Sequence, residues 1–459
     1  MKKLTKQQEL YRKEVAKDLA KARVRLGVTQ QELAEKLNTQ KSNISRFESG
    51  EQNISLDYVI SYADALNLKP VFMMEDETEY SGLAFDYELK LYDTVLLSFS
   101  LSRIFYGTIE VEILSVNEEL RDLFPVSLDI TPAGIKAWLK TRCIPKNRAY
   151  VTEILRSLGL EANDIKGIID TCLGLSLNDS YWITPVGSSL KYDKNNLYDN
   201  TFDEALALVA FVGMQQRLGR SSSPEFTTGG TLRKGWRIID GEKWLYKGGA
   251  EETSSYLGLE PFSEYYAYQV ARAMNLFCVE YDLSMWKGIL SSRCKLFTTK
   301  DISFVSAGEI KGVNEIEDVL SVYSGLNSEY YDQLCDMLVF DALVYNTDRH
   351  FGNFGLLRDN KTGKYIGVAP IFDNGMALFP HAIRADFDNL DMYCKKCNCP
   401  YERSWEQILD IALGKRQKEK LKALKGFRLE EHPLFNLPEW RMEKLNEFLQ
   451  ERVKELLRY

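Results

Sequence analysis

Asp348 and Asn353 stand five positions apart in the run Asn346-Thr347-Asp348-Arg349-His350-Phe351-Gly352-Asn353, directly after an apolar stretch. A carboxylate and an amide at that spacing can divide the work of phosphoryl transfer. Asp348 would accept the proton of an attacking hydroxyl. The Asn353 amide oxygen would help hold Mg²⁺, a hard cation that prefers oxygen ligands. A second hard ligand follows 25 residues after Asp348, in Phe372-Asp373-Asn374-Gly375. Such chemistry needs little covalent work and much positioning of charge. In isolation the run reads equally well as a polar turn, because Asp and Asn are ordinary turn residues. Arg349 would hold either the loop or a phosphate. His350 reads as structural, and the three histidines of the chain (His350, His381, His432) are too few for a metal site.

These residues need elements to carry them. The segment "YYDQLCDMLVFDALVYN" reads as an apolar helix that delivers the chain to Asp348, with Leu334, Leu338, Val339 and Leu343 near one face. Beyond Asn353, a hairpin turning at Lys361-Thr362-Gly363 leads to Asp373. Upstream, "TLRKGWRII" and "EKWLYKGG" read as strands joined at Asp240-Gly241, a favoured hairpin dipeptide. Lys247 ends the second strand among apolar neighbours, a costly place for a cation unless it is paired. The helix that opens at Glu260-Pro261 offers Glu264 as the partner. Strand lysine followed by helix glutamate is how protein kinases hold the α/β-phosphates of ATP. Before the hairpin, residues 221–230 carry almost no large apolar side chain and are expected to form a mobile, hydroxyl-rich loop. Within and just after it, Thr228-Gly229-Gly230-Thr231 would let backbone N–H groups approach phosphates. Alone that is a weak signal, and a plain surface turn fits as well.

Lys247, Glu264, Asp348, Asn353 and Asp373 occur in kinase order. With the N-x-D-R-H-x-x-N run, the F-D-N-G turn and the Thr/Ser/Gly loop before the strand lysine, residues from about 221 to 430 resemble the HipA family of bacterial serine/threonine kinases. The resemblance implies Asp348 as catalytic base, Asn353 and Asp373 as Mg²⁺ ligands, Lys247 as the ATP lysine and Glu264 as its partner. It also implies silencing by autophosphorylation on Ser221, Ser222, Ser223, Thr227 or Thr228. Family members are typically toxins with a separate DNA-binding antitoxin, and the resemblance directs the search for a protein substrate to translation factors or an aminoacyl-tRNA synthetase. The polypeptide departs from that pattern by carrying both activities in one chain.

The DNA-binding half is read from residues 1–72. A helical pattern from Lys6 to Arg25 ends at Gly27. Thr29 and Glu32 then form a capping box for a short helix. Asn38 turns the chain into a second short helix ending at Gly50, and Ser55 opens another with Leu56, Val59, Ile60, Tyr62, Ala63 and Leu66 as its apolar face. Two short helices joined by a tight turn and packed on a third make a helix-turn-helix. The stretch resembles the Cro/repressor type. Gln30, Gln40, Lys41, Ser42, Asn43 and Arg46 are its candidate contacts to bases and phosphates. Such readers usually pair half-sites, so a homodimer on a palindromic operator of its own is expected.

Charge fits this division. Residues 1–70 hold 13 Lys/Arg against 9 Asp/Glu, net +4, within a chain of net charge −8. Apolar residues make up 45% and charged ones 27% of 459 residues, ordinary for a globular protein of several domains. No stretch is long and apolar enough to span a bilayer. The basic start lacks the apolar core of a signal peptide, so a cytoplasmic protein is expected. The eight cysteines read as reduced thiols. Cys394, Cys397 and Cys399 could supply three zinc ligands, but no fourth follows at a suitable spacing.

The expected architecture is therefore multidomain. An all-α helix-turn-helix domain (1–72) and a linker (73–90) precede an α/β middle region (91–215) that extends the N-lobe. A kinase-like α+β N-lobe (216–300) and a mostly helical C-lobe (301–459) follow. The middle region shows no motif that carries chemistry, and Trp138, Tyr181 and Trp182 read as core. Two other readings stay open: a DNA-binding regulator whose kinase fold only senses nucleotide, and a lipid or small-molecule kinase.

Overall fold

Short-range signals account for the first of two units, Met1–Glu79, in the computed structural model of the chain. The structure describes residues 6–51, 55–68, 84–103, 109–160, 164–202, 204–214, 222–251 and 257–459. Helix α1 (Lys6–Arg25) stops at Gly27, which takes a left-handed φ of 69°. Thr29 and Glu32 close a reciprocal capping box on α2 (Gln30–Lys36), satisfying two otherwise orphaned N–H groups. Helix α3 (Lys41–Glu48) buries Ile44 and Phe47. Helix α4 (Leu56–Ala65) covers them with Val59, Tyr62 and Ala63, whereas Leu56 and Ile60, expected on the same face, are exposed. Glu48 ties the unit together: it accepts from Arg23 (2.6 and 2.8 Å), from Gln30 (2.8 Å) and from the Tyr62 hydroxyl.

The second unit, Tyr80–Tyr459, begins with an antiparallel sheet of order β3-β2-β1-β4. Its strands are β1 (Ala84–Leu91), β2 (Thr94–Arg103), β3 (Ile109–Val116) and β4 (Tyr181–Pro185). β1 occupies the end of the segment read as linker. Tyr87, Leu89 and Leu91 alternate inward there, a period-2 pattern that the neighbouring acidic residues obscure. Helices α5 (Pro132–Thr141), α6 (Val151–Ser157), α7 (Ile165–Cys172) and α8 (Glu204–Val212) supply the rest of this core, Trp138 included. Tyr181 and Trp182 are buried too.

A second antiparallel sheet, β5-β6-β8-β7, comes next. β5 (Lys234–Ile239) and β6 (Glu242–Gly248) join through Asp240 and Gly241, both at positive φ (52° and 80°), which matches the strand twist. Helix α9 (Glu260–Ala273) precedes β7 (Tyr281–Trp286) and β8 (Ile289–Lys295) and packs on the sheet. Beyond β9 (Ile302–Ser306) and α10 (Ile316–Leu326) runs α11 (Ser328–Val344), in which every residue from Leu334 to Val344 is buried. It is the axis of the C-terminal core. β10 (Gly355–Asp359) lies between β9 and β11 (Tyr365–Val368).

The middle region is bolted to the β9-β10-β11 sheet. Arg358, buried on β10, donates to the carbonyls of Phe124 and Asp122 and to the Tyr181 hydroxyl. Phe304 N–H donates to the Asn178 carbonyl at 2.8 Å. Farther along, Cys399 is buried and the Cys397 thiol donates to the Tyr393 carbonyl at 3.6 Å. Among the described residues no group of three His, Cys, Asp or Glu side chains is disposed to hold a metal, and no helix is long and apolar enough to cross a membrane.

Candidate active site

Lys247 is buried at the end of β6, where its ammonium bridges two carboxylates. Nζ lies 2.8 Å from Glu264 Oε1 on α9 and 2.8 Å from Asp373 Oδ1. Burial alone would discharge the amine. The two carboxylates more than offset it and hold the Lys247 pKa well above the ordinary lysine value. Burial likewise disfavours the Asp373 carboxylate, but Lys247 and Lys234 outweigh it, so Asp373 titrates below the usual carboxylate range. Glu264 uses its other oxygen to accept from Asn374 N–H at 2.8 Å. One glutamate thus ties the lysine to the turn that carries Asp373.

Across the cleft, α11 ends at Tyr345 in a left-handed conformation (φ 50°) and turns the chain into the Asp348 loop. Arg349 is fully buried and holds this loop. It donates to both Asp341 oxygens (2.9 and 3.1 Å), to the carbonyls of Asn353 (3.1 Å) and Phe372, and to Asn374 Oδ1. Of the two roles open to Arg349, the fold gives it the loop. Asn353 turns its amide nitrogen to the Asp348 carbonyl (2.9 Å), which leaves its oxygen as the acceptor. Burial raises the Asp348 carboxyl above its ordinary value; His350 opposes this and Asp373 adds to it. The His350 ring accepts from Gly352 N–H at 3.0 Å.

Lys247, Asp348, His350, Asn353 and Asp373 line one cleft of about 1020 Å³, with Thr228, Gly229, Gly230 and Thr231 along one side. Sequence reasoning missed a further cation in it. Lys234, buried on β5, sits directly across the strand pair from Lys247 and donates to the Gly229 carbonyl at 2.9 Å. Gly230 is needed there: at φ 95°, a Cβ on it would fall 2.1 Å from Lys234 Nζ. Burial lowers the Lys234 pKa, and Asp373 opposes the shift. In sequence its only signal was an alternate position one strand away from Lys247.

The expected mobile loop takes another form. Ser221 lies outside the described residues. Ser223, Glu225 and Phe226 are fully buried around a single 3₁₀ turn. Glu225 pairs with Arg148, both side chains excluded from water, and accepts Trp236 N–H at 2.8 Å. Thr228 Oγ1 donates to the Pro224 carbonyl (2.8 Å) and accepts from Trp236 Nε1 (2.9 Å), while Thr227 reaches the Leu175 carbonyl. Ser222 is half-buried.

Two family profiles match the chain: a helix-turn-helix over residues 19–73 and a HipA-like C-terminal domain over residues 226–429. The second unit carries a HipA-like C-terminal domain. Over 137 residues the chain is 33% identical to the serine/threonine-protein kinase CtkA of Helicobacter pylori, covering 26% of this chain and 41% of that one. It therefore spans less than half the length of that curated relative. A crystal structure of a Helicobacter pylori proinflammatory kinase CtkA overlays with a TM-score of 0.39 at 22% identity, over 49% of this chain and 93% of the other. A chain from the Shewanella oneidensis HipA, HipB and operator DNA complex gives 0.48 at 12% identity, over 81% and 99%.

In the helix-turn-helix, Gln40 caps α3 by position without a side-chain bond, and Gln40, Lys41, Ser42 and Arg46 are all exposed. Asn43 is half-buried and donates to Thr39 Oγ1 at 3.0 Å. Gln30, at the start of α2, donates its amide nitrogen to Glu48 at 2.8 Å inside the unit.

Proposed function

We propose that the chain is an ATP- and Mg²⁺-dependent serine/threonine protein kinase of the HipA type, fused in cis to a DNA-binding domain that regulates it or its own transcription. The observation that carries this reading is Lys247 bridging Glu264 and Asp373 in the cleft that Asp348 and Asn353 also line. The residues suit the cofactor. The cleft is large enough for a nucleotide, and two buried lysines offer positive charge to a polyphosphate. Asn353 and Asp373 contribute an amide oxygen and a carboxylate, a sparse hard-oxygen set that suits a cation keeping several waters. Bound Mg²⁺·ATP supplies the phosphoryl group. Lys247 orients the phosphates, the Gly229-Gly230 backbone approaches them, and Asp348 takes the proton of a Ser or Thr hydroxyl on a protein acceptor. The family resemblance points to translation factors or an aminoacyl-tRNA synthetase as acceptors, in the cytoplasm.

Modification of Ser223 requires its segment to leave the core, and Ser222, Thr227 and Thr228 are the less deeply held candidates. Incubation with labelled ATP and Mg²⁺ tests the kinase reading. Wild type is expected to label itself or lysate proteins and Asp348→Ala is not; no label with either protein would sink it. Gln40, Lys41, Ser42, Asn43 and Arg46 are proposed to contact the operator as part of a homodimer. A gel shift on the chain's own promoter region should vanish in Gln40→Ala/Arg46→Ala.

A further inference from the structure

Asp373 has a φ of 57°, the left-handed region that a residue with a Cβ enters only when its surroundings over-determine it. Four restraints hold it there. Lys247 holds its carboxylate, Glu264 accepts from the next N–H, and Arg349 donates to the preceding carbonyl. The fourth comes from β7: Asp373 N–H donates to the Tyr281 hydroxyl oxygen at 3.0 Å. Tyr281 is buried, which holds its hydroxyl in place against the turn. Its cross-strand partner on β8 is Cys294.

The four restraints are not equivalent. With nucleotide and Mg²⁺ bound, Lys247 would face the phosphates and the Asp373 carboxylate would serve as a metal ligand, so the side-chain tether between them would no longer fix the turn by itself. The Tyr281 bond is to backbone, carries no charge and competes with neither. We infer that Tyr281 is a positioning residue, whose hydroxyl holds the Asp373 backbone in its left-handed conformation so that the carboxylate is aimed at the metal with or without nucleotide. This rests on the phosphotransferase reading.

The test is Tyr281→Phe, which removes one oxygen and keeps the ring in the core. Two readouts are needed besides turnover. Hydrogen exchange in the nucleotide-free protein is expected to quicken in the peptide spanning residues 372–375 and not in α11. Binding of Mn²⁺ in the presence of a non-hydrolysable ATP analogue is expected to weaken about 10- to 100-fold, the usual range for removing a partner behind a metal ligand. The KM for ATP at saturating Mg²⁺ stays within about twofold, and raising Mg²⁺ recovers part of the lost kcat. Unchanged exchange at residues 372–375, or unchanged Mn²⁺ affinity, overturns the assignment. If wild type itself binds no Mn²⁺ with the analogue, the phosphotransferase reading fails and this one with it; the exchange result distinguishes the two failures.

Discussion

At the scale of single residues, Arg349 is the side chain whose removal separates stability from function. It and Asp341 are wholly excluded from water, so deleting one partner strands a buried charge. Arg349→Met is expected to lower the unfolding free energy by about 3–5 kcal/mol in chemical denaturation. Adding Asp341→Leu should recover most of that, since an apolar pair of similar volume can replace a buried ion pair. Phosphoryl transfer should not return, because the carbonyls of Asn353 and Phe372 and the Asn374 amide still lack their donor. A double variant with near wild-type transfer would show that Arg349 only stabilises. Lys234→Met gives the complementary outcome. Nucleotide affinity is expected to fall about tenfold, by loss of one hydrogen bond of charged type, with little change in unfolding. Lys247, Glu264, Asp348, Asn353 and Asp373 were legible as candidates because their types and order along the chain match the proposed chemistry. Lys234, Tyr281 and the full reach of Arg349 were not, since cross-strand register and tertiary approach place them, and neither leaves a mark in spacing.

Secondary-structure elements announced themselves where a local device fixes them: the Thr29/Glu32 capping box, the Asp240-Gly241 turn and the hairpin at Gly363. Elements fixed by distant partners did not. The 222–230 segment has the composition of a mobile loop, yet Arg148, 77 positions before Glu225, draws it into the core. That dependence makes a specific outcome testable. Glu225→Gln removes the charge that Arg148 meets and keeps the acceptor for Trp236 N–H. The 222–231 segment should exchange its amides faster, and Ser222, Ser223, Thr227 and Thr228 should become better phosphate acceptors. Quantitative phosphopeptide mapping after incubation with Mg²⁺·ATP measures it. Equal labelling of wild type and Glu225→Gln would mean that the Arg148 pair does not restrain this segment.

On the scale of the whole molecule, the two units report separately. All seven tryptophans lie between Trp138 and Trp440, so their fluorescence follows only the second unit. The first unit depends on Glu48, whose side chain accepts from Arg23, Tyr62 and Gln30. Burial works against the Glu48 carboxylate, but those three donors and the Arg23 charge outweigh it and depress its pKa below the ordinary 4.5. A depressed folded-state pKa contributes stability that is present above the unfolded value and lost as pH falls through the folded one. The helix-turn-helix is therefore expected to loosen below about pH 4.5. Glu48→Gln, which cannot ionise, should start less stable at neutral pH and lose the part of the acid dependence that belongs to this residue. Hydrogen exchange of peptides from α2 and α3 across pH 6 to 3, corrected for the intrinsic rate, reads the first unit while tryptophan fluorescence tracks the second. Identical pH profiles for wild type and Glu48→Gln would place the acid sensitivity elsewhere. In that case the buried Arg23–Glu48 pair would specify how α1 meets α3 without setting how the DNA-binding unit responds to acid.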